Sequence, residues 1–175
     1  MYGVLSKGVN MNNLYILCGI PGCGKSTWVK NRMAENTSST DPKWAYVSRD
    51  EVRFSIVKEE DDYFSKEKQV FNEFVKRICE KLDDAWVANV IADATHLNEV
   101  SRNKLINAIR RNRHKDKPLH IMMIYFDVPL EVCKFRNNKR SGRMRVPDDV
   151  MDKMYRSLEF PQLREGLERI EIVRD

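Results

Sequence analysis

The sequence is poor in the residues that break helices and strands, since its 175 residues include only seven glycines and six prolines. This scarcity favours long helices over a turn-rich β architecture. No stretch approaches the roughly 18 consecutive apolar residues that a membrane-spanning helix needs. The first 13 residues are too polar for a secretory signal peptide. We therefore expect no membrane partner and a cytoplasmic location.

Cysteines are also few, and their spacing points to no metal site. The four stand at positions 18, 23, 79 and 133, form no C-x-x-C pair and have no histidine at metal-ligand spacing. This pattern is typical of reduced thiols in a cytosolic protein. Hydrophobic residues make up 42% and charged residues 33% of the chain, which indicates one globular domain.

Short apolar runs alternate with segments of helical periodicity. Strands are predicted at residues 14–18, 44–47, 87–92, 119–126 and 169–173. Helices are predicted at residues 26–34, from 50 onward, at 66–86, 98–113, from 129 onward and at 148–158. This alternation is typical of an α/β fold with a five-stranded parallel sheet flanked by helices.

Residues 19–26 read GIPGCGKS and match the phosphate-binding pattern G-x-x-x-x-G-K-[ST] in full. The motif follows a predicted strand and precedes a predicted helix, the context in which backbone N–H groups and the helix N-terminus bind phosphates. We expect Lys25 to reach the β- and γ-phosphates and the Ser26 hydroxyl to ligate Mg²⁺. The residues expected to hold the nucleotide are Gly19, Gly22, Cys23, Gly24, Lys25, Ser26 and Thr27.

The guanine-binding pattern N-K-x-D of GTPases is missing. Two Asn-Lys pairs occur, at residues 103–104 and 138–139, and neither is followed by the required aspartate. The chain is also too short for a large ATPase motor. A kinase is therefore the favoured class among phosphate-loop proteins.

Two aspartates follow the second and third predicted strands, at the edge where open α/β sheets bind ligands. Asp50 could accept the proton of an attacking hydroxyl. Arg53, three residues further on, could hold an acceptor phosphate. The alternative is that Ser48 or Asp50 only caps a helix. Asp93 could orient a Mg²⁺-bound water, pair with Arg53, or cap a turn.

Residues 134–145, KFRNNKRSGRMR, contain six basic residues and no acidic one. Phosphoryl-transfer enzymes use arginines from a lid to neutralise developing charge. Arg136 and Arg140 are four residues apart and are expected to share one helix face, whereas Arg143 and Arg145 are expected to lie in a loop. A solvated basic helix end is the alternative.

Several segments together resemble the 5′-hydroxyl polynucleotide kinases of phage and bacterial nucleic-acid repair. They are GIPGCGKSTW (19–28), SRDEVR (48–53), DATHLN (93–98), FDVPLEVCKFRNNKR (126–140) and VPDDVMDKMYRSLE (146–159). The resemblance implies a P-loop kinase fold with a basic helical lid. It also implies transfer of the γ-phosphoryl group of ATP, with Mg²⁺, to the 5′-OH end of RNA or DNA. For a phage-encoded protein, the location would be the host cytoplasm.

The resemblance also implies roles for individual residues. Asp50 would be the general base, Arg53 would contact the acceptor's phosphate, and Asp93 would lie beside the acceptor. Arg136 and Arg140 would act from the lid, with Lys25 completing the candidate catalytic set. The segment DATHLN is one residue longer than the D-T-N-L-N of some family members. No D-x-D-x-T element is present, so 3′-phosphatase activity is not expected.

Two other functions remain open. One is a P-loop kinase acting on the hydroxyl of a nucleoside, sugar or antibiotic, which would use the same loop and the same base. The other is a non-catalytic nucleotide- or RNA-binding module. In each case the kinase-like domain is expected to span residues 13–175, preceded by a poorly ordered extension over residues 1–12.

Overall fold

The computed structural model describes residues 12–34, 43–114 and 118–175. Of the expected N-terminal extension, residues 1–11 lie outside these ranges and Asn12 already belongs to the first strand. Within the described ranges, no helix has the length and apolar character to cross a lipid bilayer.

Strands and helices alternate along the chain, as the sequence predicts. The strands are β1 (Asn12–Cys18), β2 (Lys43–Ser48), β3 (Val87–Asp93), β4 (Leu119–Asp127) and β5 (Arg169–Arg174). The helices are α1 (Lys25–Ala34), α2 (Arg49–Ile56), α3 (Glu67–Asp83), α4 (Glu99–Asn112), α5 (Leu130–Asn137) and α6 (Asp148–Arg156). Short 3-10 helices occur at Gly142–Met144 and Leu163–Glu165.

The five strands form one parallel sheet in the order β2-β3-β1-β4-β5. The α/β fold with a five-stranded parallel sheet is therefore confirmed. The connection leaving β1 runs toward β2, whereas the connection leaving β3 crosses to β4 on the other side. Because neighbouring strands with oppositely directed connections leave a crevice above their carboxyl ends, this edge of the sheet is the place for a ligand.

Each face of the sheet is covered by helices that bury an apolar stripe. On one face, α3 buries Val70, Phe74, Val75, Ile78, Cys79 and Leu82, the side chains that its 3.6-residue periodicity predicts. On the other face, Val29 of α1, Cys133 of α5 and Met151 of α6 pack with apolar side chains of the sheet. All four cysteines are free and buried.

Helix α5, which begins the predicted basic lid, is shorter than the sequence suggests. Helix α5 ends at Asn137, so Arg140 lies in the following turn and the prediction that Arg136 and Arg140 share one helix face is wrong. The buried Asn137 amide donates to the carbonyl of Val146 at 2.7 Å and accepts from its N–H at 3.1 Å. These bonds turn the chain back on itself. Arg143 lies within a 3-10 helix instead of an irregular loop.

The loop between β3 and α4 is held from behind by a buried ion pair. Arg102 of α4 donates from Nε and Nη2 to the two carboxylate oxygens of Glu165, at 2.7 and 2.8 Å. Its Nη1 donates to the carbonyl groups of His96 at 3.3 Å and Glu159 at 3.0 Å. His96 is itself buried and has a φ of +43°. The segment DATHLN is therefore fixed against the core.

Candidate active site at the carboxyl edge of the sheet

The phosphate loop connects β1 to α1 through two glycines in the left-handed region, Gly22 with φ of +84° and Gly24 with φ of +103°. A Cβ on Gly22 would lie 2.3 Å from the carbonyl oxygen of Cys133, so only glycine fits there. The carbonyl of Gly24 accepts bonds from the N–H groups of Thr27 and Trp28, both at 3.0 Å. The motif thus has the strand–turn–helix setting that a phosphate site needs.

Lys25 lies across this loop. Its ammonium group donates to the carbonyl oxygens of Gly19 at 2.8 Å and Ile20 at 3.1 Å. A cavity opens at this edge of the sheet, and Lys25 lines it. Ser26 and Thr27, in the first turn of α1, line the same cavity. The Lys25 ammonium group therefore bonds to backbone carbonyl oxygens at the place where the phosphates of a nucleotide would accept its hydrogen bonds instead.

Asp93 ends β3 beside the phosphate-loop strand, where it is paired in register with Leu17. Only 9% of it is exposed, and the Tyr46 hydroxyl donates to its Oδ2 at 2.8 Å. Burial raises the pKa of the Asp93 carboxyl, although the Lys25 charge, the Tyr46 hydrogen bond and the Arg140 charge each lower it. A buried carboxylate of this kind would be stabilised by a cation.

The oxygen donors in this part of the cavity fit a Mg²⁺ ion. The Ser26 hydroxyl and the Asp93 carboxylate are ligands of the class that Mg²⁺ prefers. Across residues 12–34, 43–114 and 118–175, no group of three or more His, Cys, Asp or Glu side chains could hold a metal without help.

Asp50 lies in the first turn of α2 but does not cap that helix. The cap is Ser48, whose hydroxyl accepts from the Glu51 N–H at 3.3 Å. The Asp50 side chain is 59% exposed, and its Oδ1 accepts from Arg53 at 3.1 Å and from the Tyr63 hydroxyl at 3.2 Å. The capping alternative for Asp50 is thus wrong, because Ser48 performs that role.

Arg53 is a buried and ion-paired side chain. Its Nη2 lies 2.6 Å from Glu67 of α3, and Glu67 also pairs with Arg49. The ion pairs of Arg53 are therefore with Asp50 and Glu67 instead of with Asp93 as one alternative had it. Its Nε is buried and has no hydrogen-bond partner among the described residues. Arg53 is thus positioned to hold Asp50 while one of its N–H groups stays unused.

Four arginines of the basic segment 134–145 line the same cavity: Arg136, Arg140, Arg143 and Arg145. Arg136 is 2.5 Å from a carboxylate oxygen of Asp175. The charge of Arg140 acts on the Asp93 carboxyl across the cavity. The structure therefore brings Lys25, Asp50, Asp93 and the lid arginines around one cavity.

Several residues of this site escape sequence reasoning. Tyr46 orients Asp93, Glu67 neutralises Arg53, and three aromatic rings at Phe54, Tyr63 and Phe64 line the cavity beside Asp50. A signal for the last two was present, since they are adjacent aromatic residues inside the strongly charged segment 58–68. Tyr46 carried no signal of its own, because its partner lies 47 residues away.

The chain resembles known proteins in both sequence and structure. A protein of Acanthamoeba polyphaga mimivirus, named as a bifunctional polynucleotide phosphatase/kinase, is 25% identical over 91% of this chain. The chain spans about a third of that relative's length, 32%. A fungal RNA kinase superimposes with a TM-score of 0.65 at 13% identity, covering 93% of this chain and 74% of the kinase. A sugar kinase from Janibacter gives 0.59 at 16% identity, covering 94% and 85%.

These structural neighbours share the α/β fold of the chain, with its parallel sheet flanked by helices. Residues 14–161 match a protein family described as an AAA domain. This match includes the phosphate loop, both aspartates and the lid arginines. Because it spans most of the 175 residues, the chain belongs to this family of P-loop domains.

Proposed function

We propose that this chain is a kinase that transfers the γ-phosphoryl group of ATP, with Mg²⁺, to the 5′-OH end of a polynucleotide. One observation carries the proposal. The accessible carboxylate of Asp50 faces a cavity that also contains the phosphate loop, the buried Asp93 and the lid arginines. A cavity with a phosphate site, a base and several arginines has the parts that phosphoryl transfer to an alcohol needs.

On the donor side, the phosphate loop and Lys25 hold the β- and γ-phosphates of ATP. Ser26 and Asp93 would hold Mg²⁺, which would supply neutralisation of the charge on the phosphate oxygens. Arg140 and Arg136 approach from the lid and stabilise the charge on the transferring group. Arg136 leaves Asp175 to do so, because that pair is partly exposed and weakly held.

On the acceptor side, Asp50 accepts the proton of the attacking 5′-OH. Arg53 and the Tyr63 hydroxyl both donate to its Oδ1, which leaves Oδ2 for the substrate and fixes the direction of the carboxylate. Glu67 holds Arg53 from the other side. Arg53 also lines the cavity, and we assign to it the contact with an acceptor phosphate that the sequence predicts for this residue.

The similar proteins support a nucleic-acid acceptor. The mimivirus relative carries a name that includes polynucleotide kinase activity, and one structural neighbour is an RNA kinase. The basic lid offers the charge that an anionic polymer requires. We extend the proposal to a kinase unit formed by residues 13–175.

The experiment is an acceptor panel with γ-labelled ATP and Mg²⁺. The panel contains 5′-OH RNA, 5′-OH DNA, nucleosides, nucleoside 3′-monophosphates and free sugars. We expect label on the oligonucleotides with at least tenfold higher kcat/KM than on nucleosides or sugars. Lys25→Ala should abolish transfer, whereas Lys81→Ala, which removes an exposed lysine of α3, should not. Preferential labelling of a sugar or nucleoside would replace the proposal with a small-molecule kinase. Nucleotide binding without any transfer would indicate a binding module.

A further inference from the structure

The proposed chemistry uses the Tyr63 hydroxyl but not the ring faces of the aromatic cluster that adjoins the candidate base. Phe54 of α2 and Tyr63 have ring centroids 6.5 Å apart, and Tyr63 and Phe64 have centroids 4.9 Å apart with nearly perpendicular planes. Phe54 is 38% and Phe64 is 64% exposed. We call these three rings the aromatic wall. Large apolar rings exposed inside a cleft mark a surface that a ligand covers.

Two arginines lie over the aromatic wall. The Arg53 guanidinium is 4.6 Å from the Tyr63 ring centroid and 5.6 Å from that of Phe64. Arg143 reaches across from the lid, 5.2 Å from the Phe54 centroid and 5.6 Å from the Tyr63 centroid. The wall thus combines flat apolar faces with positive charge, the combination that single-stranded nucleic acid binds.

Arg143 has an unused donor at this place. Its Nη1 donates to the carbonyl of Val57 at 3.5 Å. Its Nη2 is buried and has no hydrogen-bond partner among the described residues. A buried guanidinium nitrogen without an acceptor is unfavourable, so an anionic oxygen that reached it would be stabilising.

We propose that the aromatic wall and Arg143 form a nucleotide subsite for the acceptor strand. A nucleobase near the 5′ end stacks on Phe64, and the backbone phosphate next to it accepts a hydrogen bond from Arg143. The inference rests on the proposed function and names its substrate class as single-stranded ends. A base in a blunt duplex is already stacked and paired, so it would have to unpair before it could reach the wall.

The position of the wall relative to the base gives this subsite its role. The Tyr63 hydroxyl is 3.2 Å from Oδ1 of Asp50, so the wall begins where the reacting 5′-OH must lie. A strand bound to the aromatic wall therefore has its terminal hydroxyl close to Asp50. A free sugar could stack on the same rings but offers no phosphate to Arg143, which gives the subsite selectivity for a polymer.

The test measures binding and phosphorylation separately. A short 5′-OH oligonucleotide carrying a 3′ fluorophore is titrated without ATP, and kcat/KM is then measured with ATP and Mg²⁺. Phe64→Ala should weaken both by roughly 5- to 100-fold, the usual effect of losing one stacked base. Trp86→Ala is the matched control, because Trp86 is 77% exposed at the opposite edge of the sheet, and it should leave both values unchanged.

Modified strands connect each side chain to its part of the ligand. For a strand with abasic sugars at its two 5′ positions, Phe64→Ala and the wild-type protein should have the same affinity and the same kcat/KM. Arg143→Gln should weaken binding to the normal strand but not to one whose first linkage is an uncharged methylphosphonate. Arg111→Gln, which removes an exposed arginine of α4, should have no such linkage-dependent effect. Phe64→Leu keeps the apolar bulk but has no aromatic ring to stack on a base, so it should weaken binding of the normal strand as Phe64→Ala does.

The outcomes separate this inference from the proposed function. If the wild-type protein phosphorylates the strand and Phe64→Ala matches it on every substrate, the subsite is wrong and the kinase stands. If binding depends on Phe64 and Arg143 as described but no 5′-phosphate forms, the subsite stands and the kinase is wrong. An equal loss on abasic and normal strands, or no binding of the strand by the wild-type protein, would overturn the subsite.

Discussion

The Tyr46 hydroxyl and the Asp93 carboxylate join two neighbouring strands at the carboxyl edge of the sheet, through a hydrogen bond of 2.8 Å. Ser48 is paired in register with Asp93, and Tyr46 precedes Ser48 by two residues on the same strand. Tyr46 and Asp93 therefore project on the same face of the sheet. The bond fixes the direction of a carboxylate that is nearly out of contact with water.

Tyr46→Phe should make the proposed kinase activity more sensitive to acid. The tyrosine hydrogen bond favours the ionised carboxylate, so its loss should move the pKa of Asp93 further upward from a value that burial has already raised. If ionised Asp93 is required, kcat should fall more at pH 6 than at pH 8. A pH–rate profile checks this. An acidic limb that coincides with that of the wild-type protein would show that the bond has no part in activity.

Asp50→Asn should reduce turnover on the order of 10²–10⁴-fold, because the amide cannot accept the proton of the attacking hydroxyl. The melting temperature should stay near that of the wild-type protein, since Ser48 caps α2 and Glu67 still neutralises Arg53. Single-turnover kinetics and thermal melting provide the measurements. Glu51→Gln, a neighbouring acid in the same helical turn, is the matched control and should retain activity. Full activity of Asp50→Asn would remove Asp50 as the base.

Arg140→Lys should lower kcat by at least about 10-fold while changing the affinity for ATP much less. Lysine keeps the charge but lacks the planar fork that contacts two oxygens of the transferring group. Steady-state kinetics with equilibrium ATP binding separate the two effects. Arg156→Lys, an exposed position of α6, serves as the comparison. A variant with normal kcat and weakened ATP binding would make Arg140 a ground-state binding residue.

His96 should make folding stability depend on pH. Burial lowers the pKa of His96 to about 3. Between that pH and the ordinary pKa, the imidazole is therefore protonated in the unfolded chain but neutral in the folded protein. Stability is then complete above the ordinary value of 6.5 and is lost progressively between there and about 3. On going from pH 7 to pH 5, this group should remove about 2 kcal/mol from the free energy of unfolding.

The variant His96→Asn isolates that effect. Asparagine tolerates the positive φ at this position and does not titrate, so its unfolding free energy should fall less than that of the wild-type protein between pH 7 and pH 5. Urea unfolding at the two pH values measures the difference. His114→Asn at an exposed position is the control. If the unfolding free energy falls equally in all three proteins, protonation of His96 is not the cause of the loss.

The sequence was sufficient to predict the fold class because its signals are local. The phosphate-loop motif, the apolar strands and the periodicity of α3 each lie within one stretch of chain. The strand order was not predicted, since pairing between β1 and β3 joins segments more than 70 residues apart. The end of α5 was missed for the same reason, because the side chain that stops it, Asn137, bonds to a backbone nine residues onward.

The site follows the same division. Lys25, Asp50 and Asp93 line the cavity, and the sequence pointed to this location because they follow strands or complete a linear motif. Tyr46, Glu67 and the aromatic wall became visible only when the sheet and α3 brought distant segments together. Arg53 matched a motif, but only the structure showed that two carboxylates already neutralise it.

The most direct test of the central claim locates the transferred phosphoryl group. A 5′-OH oligonucleotide is incubated with γ-labelled ATP and Mg²⁺, digested to mononucleotides and separated, beside a matched strand whose 5′ carbon carries hydrogen in place of the hydroxyl. We predict that all label appears as the 5′-phosphate of the terminal nucleotide and that the matched strand remains unlabelled. Label at another position, equal labelling of the blocked strand, or transfer only to small hydroxyl compounds would contradict the account.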